Sequence, residues 1–199
     1  MKKLLVYGGA FNPPHLGHEK LLAAAMGVIE PDIVLVTPSE VSPHKDSETV
    51  PFFDRAYMSR TFLGLGENVK ISGIENTGKR RKSYTINTIK RLKKKYKDYE
   101  IYLLIGSDML VTFSEWYLYR RLCSMVTLVA AGRQSTDGKK MEQTKKEIER
   151  MGGRVVLLDF EPLEVSSTEI RSIFKNSNNA KGLISGFVAR YVNERRLYR

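Results

Sequence analysis

The sequence is poor in cysteine, and this scarcity excludes two ways of holding a small fold together. Cys123 is the single cysteine among 199 residues, so the chain can form neither an internal disulfide nor a cysteine-based metal cluster. Because Cys123 falls in an apolar stretch, we interpret it as a buried structural thiol.

Long apolar runs are absent as well. No run approaches the ~20 residues that a membrane-spanning helix needs, so we expect no membrane partner. The segment that begins MKKLLVYGGAFN turns to glycine and proline too early for the apolar region of a secretory signal peptide. Together these features predict a cytoplasmic protein.

Acidic residues are outnumbered by basic ones. The chain has 22 Asp and Glu against 33 Lys and Arg, a formal net charge of +11. Many positive charges lie in two runs, 79–82 and 90–97, which we interpret as a solvated loop and a solvated helix face. The alternative is a positive field that concentrates anionic nucleotides. No nucleic-acid partner is expected, because the runs lack interleaved aromatic residues and match no standard nucleic-acid motif.

The length suits a single domain, 1–199, with a sizeable core. Apolar runs of strand length alternate with helical stretches, which predicts strands near 3–7, 32–37, 68–72, 100–105, 125–131 and 154–158. Helices are predicted near 18–28, 52–64, 84–96, 139–151, 168–175 and 184–195. This alternation favours an α/β fold: a Rossmann-like, doubly wound, mostly parallel sheet with helices on both faces and a small helical C-terminal part.

The last predicted helix has an apolar face that must be covered. We expect it to pack on the sheet, with a second subunit as the alternative. The residues of this face are Ile184, Phe187, Val188, Tyr191 and Val192.

Residues 8–18, GGAFNPPHLGH, are the most informative segment of the chain. Gly8 and Gly9 can take positive φ and have no Cβ, so a bulky ligand can approach the backbone there. The proline pair that follows suits a helix entrance. His15 and His18 stand three apart and would share a face beside the unpaired N–H groups of that helix. Imidazole donors at a helix N-terminus predict a phosphate-binding site, whereas the alternative is an ordinary surface turn.

A second candidate phosphate site is VSSTEIR at 165–171. Ser167 or Thr168 can cap the helix that begins here, and Arg171 lies on the same face as Thr168. Hydroxyls, free helix N–H groups and a guanidinium together bind polyanions strongly. The alternative is a plain helix cap with a surface arginine.

Two further residues follow a predicted strand in LLIGSDML and SEWY. Asp108 stands just after Gly106 at the start of the next helix, where a carboxylate can also be a simple helix cap. Trp116 is the only tryptophan, and it is either a core anchor or a platform for a planar ligand.

Five motifs occur in one order along the chain: GGAFNPPHLGH, SPHK at 42–45, SYTINT at 83–88, LLIGSDML at 103–110 and VSSTEIR. In these motifs the chain resembles the nucleotidyltransferase superfamily marked by HxGH, and within it the bacterial nicotinate-nucleotide adenylyltransferases. HxGH with SSTxIR indicates nucleotidyl transfer, and PHK, SYT and GSDM indicate the nicotinate branch. The resemblance extends from residue 3 to about residue 171, most of the chain.

The resemblance implies an enzyme that transfers AMP from ATP to nicotinate mononucleotide, giving deamido-NAD and pyrophosphate in NAD biosynthesis. It implies three catalytic residues, His15, His18 and Arg171, with His18 donating to the transferred α-phosphate. It implies contacts to ATP from Gly8, Gly9, Ala10, Phe11, Gly106, Asp108, Ser167 and Thr168. It implies contacts to the mononucleotide from His44, Lys45, Thr85, Trp116 and Tyr117. We expect Mg²⁺ to arrive with ATP, since no protein ligand set for a metal is readable.

Three positions depart from the family pattern. Ala10 stands where the family usually has threonine, and Asn12 and Asn87 each replace an aspartate. The nearest alternative function is the same chemistry on nicotinamide mononucleotide, or on both mononucleotides. Another acceptor such as phosphopantetheine and a basic nucleic-acid-binding module are more remote alternatives. The oligomeric state is open.

Overall fold

Six parallel strands form one sheet in this computed structural model, which describes residues 1–41, 50–78, 82–131, 138–161, 163–176 and 180–199. The strands are β1 (Lys2–Gly9), β2 (Ile33–Pro38), β3 (Val69–Ile71), β4 (Tyr99–Ile105), β5 (Thr127–Ala131) and β6 (Arg154–Leu158). All six predicted strands are confirmed, and every neighbouring pair is parallel.

The spatial order of the strands is β3-β2-β1-β4-β5-β6, so the direction of winding reverses between β1 and β4. Val6 of β1 pairs with Leu35 of β2 on one side and with Leu103 of β4 on the other. The doubly wound prediction is therefore confirmed. Open α/β sheets bind ligands in the crevice outside the carboxyl ends of the strands at such a reversal.

Eight α-helices and two 3₁₀ helices occur in the described residues. They are α1 (Leu16–Ile29), α2 (Phe52–Met58), α3 (Thr85–Lys95), α4 (Ser107–Val111), α5 (Tyr119–Cys123), α6 (Gly138–Arg150), α7 (Ser167–Asn176) and α8 (Gly186–Glu194), with 3₁₀ turns at Ser59–Leu65 and Phe113–Glu115. The six predicted helices are present, although the one at 52–64 is α2 followed by a 3₁₀ helix. α5 and the turn at Phe113–Glu115 were not predicted. None of the described helices has the length and apolar character needed to cross a membrane.

The two faces of the sheet carry separate cores. Along β1, Leu4 and Val6 point to one face and Leu5 and Tyr7 to the other, because side chains alternate along a strand. The first face packs against residues of α3 and α6, and the second against α1. Cys123 is buried in the first core, as predicted.

The C-terminal helix does not pack on the sheet, so that prediction is wrong. Val188 and Val192 of α8 belong to a third core with Met58 of α2 and Phe174 of α7, and this core includes no strand residue. Phe187 stays partly exposed and stacks on Tyr57 of α2. The physical reason is that α1, α3 and α6 already cover the sheet, so α8 finds its apolar partners on other helices.

Candidate active site

A cavity of about 390 Å³ opens where the strands end. Its wall runs across the sheet from Thr37 at the end of β2 to Ala131 at the end of β5, and on to Phe160 just after β6. The cavity brings together ten residues singled out from the sequence: Gly8, Gly9, Ala10, Phe11, His15, His18, Thr85, Gly106, Asp108 and Trp116. Its position is the one expected for a ligand site in a doubly wound sheet.

His15 and His18 form a reciprocal cap on α1. The backbone N–H of His18 donates to Nδ1 of His15 at 3.3 Å, and the backbone N–H of His15 donates to Nδ1 of His18 at 3.2 Å. The two rings stack with centroids 3.5 Å apart. His15 is thus the N-cap of α1, and His18 lies within the first turn beside the positive end of the helix dipole.

This cap settles which ring nitrogen can serve a ligand. A neutral imidazole that accepts at Nδ1 carries its proton on Nε2, so each ring keeps Nε2–H as a donor. Burial lowers the pKa of His15 to about 4, and this ring is therefore neutral at pH 7. The pair offers hydrogen-bond donors at the positive end of the α1 dipole, an arrangement that suits a phosphate.

Gly8 and Gly9 play different roles at the end of β1. Gly8 and Gly9 lie inside β1 and neither has a positive φ; the left-handed residue is Phe11, with φ 47°. A Cβ on Gly9 would lie 2.9 Å from the Phe11 ring, which folds back over the strand end. Gly9 is therefore required to make room for the Phe11 side chain. Gly8 is exposed and lines the cavity, so its bare backbone is open to a ligand.

Gly106 and Asp108 face the cavity from the end of β4. Gly106 is the N-cap of α4, so the simple-cap interpretation of Asp108 is wrong. The Asp108 carboxylate folds over Gly106, where a Cβ would lie 2.6 Å from Oδ1. Burial, and to a smaller extent the Asp108 charge, raises the pKa of Tyr7 on the neighbouring strand. Asp108 is exposed and places a carboxylate between the β1 and β4 ends, where a ligand can reach it.

Trp116 combines both roles that the sequence left open. Its ring packs on buried Phe113 with centroids 5.1 Å apart, and it also lines the cavity. Thr85, the first residue of α3, lines the same cavity. Tyr117 does not line the cavity: it is exposed, and its ring lies 5.0 Å from that of Tyr84.

The VSSTEIR segment packs against the GGAFNPPHLGH segment. Ser167 Oγ donates to the carbonyl of Pro13 at 2.9 Å, and Arg171 donates to the carbonyl of Asn12 at 2.9 Å and to Thr168 Oγ1 at 3.0 Å. These three side chains do not line the cavity. The prediction that Ser167 or Thr168 caps the helix is wrong, because Ser166 Oγ accepts the N–H of Glu169 at 3.1 Å.

Two predicted residues, His44 and Lys45 of the SPHK motif, lie outside the described residues. The segment that contains them follows Val41 and precedes Val50. Arg55, which the sequence analysis missed, contacts Glu40 before this segment and Val50 after it.

Arg55 is fully buried on α2 and joins the loops around the cavity. Its guanidinium donates to the carbonyls of Ala10 at 2.7 Å, Ser39 at 2.7 Å, Glu40 at 3.0 Å and Val50 at 3.1 Å. One side chain therefore connects the end of β1, the end of β2 and the start of α2. A lone arginine in an amphipathic helix carries no sequence signal for this role.

Glu75 is a second missed residue. It lies on the loop after β3, is buried, and lines the cavity. Thr88 Oγ1 donates to its Oε1 at 2.9 Å. Burial raises the pKa of Glu75 to about 7, although hydrogen bonds from Thr88 and Ser83 and the charges of Arg91 and Arg55 oppose that shift. Only the folded structure shows that this acid is buried.

Comparison with known proteins assigns the family. The family model described as cytidylyltransferase-like matches residues 6–173. A protein of Geobacter sulfurreducens, described as a probable nicotinate-nucleotide adenylyltransferase, is 30% identical over 97% of this chain and 96% of its own length. A protein of Shouchella clausii with the same description is 31% identical over 100% of this chain and 97% of its own. The chain belongs to the nicotinate-nucleotide adenylyltransferase family.

Solved structures agree on the fold of this nucleotidyltransferase. The Plasmodium falciparum nicotinic acid mononucleotide adenylyltransferase complexed with NaAD superposes with a TM-score of 0.81, at 19% identity, and covers 100% of this chain and 98% of its own. The same Plasmodium enzyme complexed with APC gives a TM-score of 0.78. Nucleotidyltransferases of this kind use a divalent metal with ATP. Among the described residues, no three His, Cys, Asp or Glu side chains cluster as a metal site.

Proposed function

We propose that this nicotinate-nucleotide adenylyltransferase family member transfers the adenylyl group of ATP to nicotinate mononucleotide, giving deamido-NAD and pyrophosphate in NAD biosynthesis. The observation that carries the proposal is the His15–His18 pair. Two imidazoles, each accepting a backbone N–H at Nδ1, stand at a helix N-terminus that opens into a nucleotide-sized cavity. The curated relatives and the Plasmodium enzyme bear names that match this activity.

The reaction needs alignment and charge neutralisation more than covalent help. A phosphate oxygen of the mononucleotide attacks the α-phosphorus of ATP, the bond from that phosphorus to the bridging oxygen breaks, and pyrophosphate leaves. The attacking phosphate is already an anion, so no protein base is required. We propose Mg²⁺ as the divalent cation, entering with ATP as the substrate complex and held by phosphate oxygens and water.

His18 and His15 would donate to the ATP phosphates, with His18 on the transferred α-phosphate. As charge builds on the phosphoryl oxygens in the transition state, fixed Nε2–H donors stabilise it more than they stabilise bound ATP. Gly8, Ala10 and Gly106 would line the ATP path, and the Asp108 carboxylate would accept hydrogen bonds from the neutral sugar of ATP.

In this proposal the side chains of Ser167, Thr168 and Arg171 support residues 10–14, the phosphate loop that leads from β1 to His15. Ser167 and Arg171 hold the carbonyls of Pro13 and Asn12, which lie two and three residues before His15 in the chain. Arg171 also adds a positive charge close behind the phosphate site, which favours polyanion binding.

The acceptor would lie on the side of the cavity formed by Thr85 and Trp116. The indole face suits the planar pyridine ring. We propose that His44 and Lys45 contact the mononucleotide phosphate, and that the Tyr117 backbone contacts the pyridine carboxylate. A backbone N–H prefers a carboxylate over an amide because the charged acceptor makes the stronger hydrogen bond.

The decisive experiment is pyrophosphate release by the purified protein with ATP and Mg²⁺, run in parallel with nicotinate and nicotinamide mononucleotides. A strong preference for the nicotinate form is expected. Comparable rates with both would preserve the chemistry and contradict the acceptor specificity. No release with either, from folded protein, would contradict the proposed function. A reaction without acceptor controls for ATP hydrolysis.

A further inference from the structure

One wall of the cavity carries polar side chains that no step above uses. They come from the end of β2, the loop after β3 and the start of α3, and include Ser39, Glu75, Ser83 and Thr88. Three of them, Ser39, Glu75 and Thr88, are at least nine-tenths buried.

Ser39 presents a hydroxyl that makes no hydrogen bond in the part of the chain that the structure describes. Its backbone is fixed on both sides: its N–H donates to the carbonyl of Gly9 at 2.9 Å, and its own carbonyl accepts from Arg55 at 2.7 Å. The side chain is 7% exposed and lines the cavity. Because a buried hydroxyl without a partner is costly, the missing partner is expected to come from a ligand.

Glu75 lies on the same wall and is connected to Ser39 through a short chain of contacts. Ser83 Oγ hydrogen-bonds the Glu75 carboxyl and also accepts the backbone N–H of Glu40, the residue after Ser39. Thr88 donates to Oε1 of Glu75. Two hydroxyls thus occupy two of the roughly four acceptor positions of a carboxyl group, and acceptor capacity remains toward the cavity.

The chemistry of this wall selects one part of a nucleotide. A carboxyl group that faces a cavity repels phosphate and the pyridine carboxylate, and it attracts neutral hydroxyl donors. A ribose presents two adjacent hydroxyls of that kind. Thr85, which we place on the acceptor side, lies between Ser83 and Thr88 in the chain, so we assign this wall to the acceptor. Asp108, which we assign to the sugar of ATP, faces the cavity from α4, just after β4.

We propose that the Ser39 hydroxyl and the Glu75 carboxyl bind the ribose hydroxyls of the acceptor mononucleotide. This inference rests on the proposed function and names the residues that select its acceptor. It also explains why a hydroxyl and an acid are buried at the rim of a parallel sheet, where apolar side chains would be less costly.

The first test is Ser39→Ala, assayed by steady-state kinetics. The KM for nicotinate mononucleotide should rise about fivefold, the value for one neutral hydrogen bond, while the KM for ATP stays unchanged. The melting temperature should not fall, because the hydroxyl that is removed has no partner in the described protein. At pH 8, above the pKa of about 7 that burial gives this carboxyl, Glu75→Gln should raise the same KM on the order of tenfold, since a charged acceptor is lost. Ser124→Ala, at an exposed serine outside the cavity, is the matched control.

The second test uses acceptors that lack one hydroxyl, the 2′-deoxy and 3′-deoxy forms of nicotinate mononucleotide. If the wall binds the acceptor ribose, the penalty of Ser39→Ala or Glu75→Gln should shrink with at least one deoxy acceptor, because the partner group is already missing. An undiminished penalty with both would overturn the proposal. A penalty that shrinks instead with 2′-deoxy-ATP or 3′-deoxy-ATP would assign the wall to the donor ribose and also overturn it.

The activity of the wild-type protein distinguishes a failure of the ribose assignment from a failure of the proposed function. If the wild type is active and Ser39→Ala and Glu75→Gln leave the mononucleotide KM unchanged, only the ribose assignment is overturned. A wild-type protein that releases no pyrophosphate with any mononucleotide contradicts the proposed function, and the ribose assignment falls with it.

Discussion

The hydroxyl of Tyr198 donates a 2.7 Å hydrogen bond to Oδ1 of Asn12, a residue 186 positions earlier in the chain. Both residues are buried, and the backbone carbonyl of Asn12 accepts from Arg171. The loop that leads to His15 is thus held by two side chains from the C-terminal third of the protein. Asn12 stands where the family has aspartate, and here its amide oxygen serves as the acceptor for Tyr198.

Tyr198→Phe should therefore weaken the phosphate loop. The lost hydrogen bond should lower the free energy of unfolding by about 1 kcal/mol. We also expect a higher KM for ATP, because the loop before His15 loses one support. Urea denaturation and steady-state kinetics measure the two effects. Tyr96→Phe is the control on a half-buried tyrosine far from the loop; equal losses in both variants would contradict this role of Tyr198.

His18→Ala should remove most of the turnover while the protein stays folded. Loss of a fixed donor to the α-phosphate should lower kcat on the order of 10²- to 10³-fold. The same variant loses one half of the reciprocal cap, so its melting temperature must be measured alongside. Lys20→Ala, on an exposed position of α1, should behave as wild type. A kcat near the wild-type value would rule out the donor role of His18.

Trp116→Ala should raise the KM for the mononucleotide far more than the KM for ATP. The reason is that the indole lines the cavity on the proposed acceptor side, although it also packs on Phe113. Phe113→Leu supplies the comparison, since Phe113 is fully buried and does not line the cavity. That variant should lose stability and keep both KM values. Equal rises in both KM values for Trp116→Ala would indicate a purely structural tryptophan.

Arg55→Met should destabilise the protein and the site together. Removing a buried guanidinium that satisfies four backbone carbonyls should cost about 3–5 kcal/mol of unfolding free energy. Arg55→Lys retains the charge but cannot form the same fork of hydrogen bonds, so it should restore only part of the loss. Arg60→Met, at an exposed arginine over the Tyr57 ring, should cost at most about 1 kcal/mol. A similar small cost at Arg55 would show that the carbonyls find other donors.

His15 and Glu75 should give the stability opposite slopes with pH. The pKa of His15 is lowered from 6.5 to about 4, so the unfolded chain binds more protons and the His15 contribution to stability is lost as pH falls from 6.5 to 4. The pKa of Glu75 is raised from 4.5 to about 7, so its contribution is lost as pH rises from 4.5 through 7. In the wild type the two slopes partly cancel.

Substituting one of the two residues should reveal the pH dependence that the other gives to the unfolding free energy. Glu75→Gln should make the unfolding free energy rise more steeply with pH, and His15→Asn, which keeps a capping side chain, should make it fall. Denaturant titrations at several pH values between 4 and 7 measure both. Parallel profiles for the wild type and both variants would contradict the two pKa shifts.

The strands could be predicted because strands buried on both faces read as continuous apolar runs. The segment from Phe113 to Cys123 could not, because its short turns obey neither a helical nor a strand period. The prediction that α8 packs on the sheet was wrong for a different reason. Its sequence shows which face is buried, as with Val188 and Val192, but does not show whether a sheet or other helices cover that face.

The residues of the candidate site likewise divide into those that the sequence predicted and those that it did not. His15 and His18 were found because two helix-facing histidines beside glycine and proline form a local pattern. Ser39, Arg55 and Glu75 were missed because nothing in their neighbourhood along the chain distinguishes them. Their roles depend on burial and on partners that only the folded chain supplies, such as the Ala10 carbonyl for Arg55.

The interlocked histidines of α1 have an energetic consequence for the ligand. Because each Nδ1 is held by a backbone N–H, neither ring has to rotate or exchange tautomers when a polyphosphate arrives. The folding of the helix has already met the entropic cost of orienting both donors. Binding free energy that would otherwise order two side chains is therefore left for lowering the barrier to phosphoryl transfer.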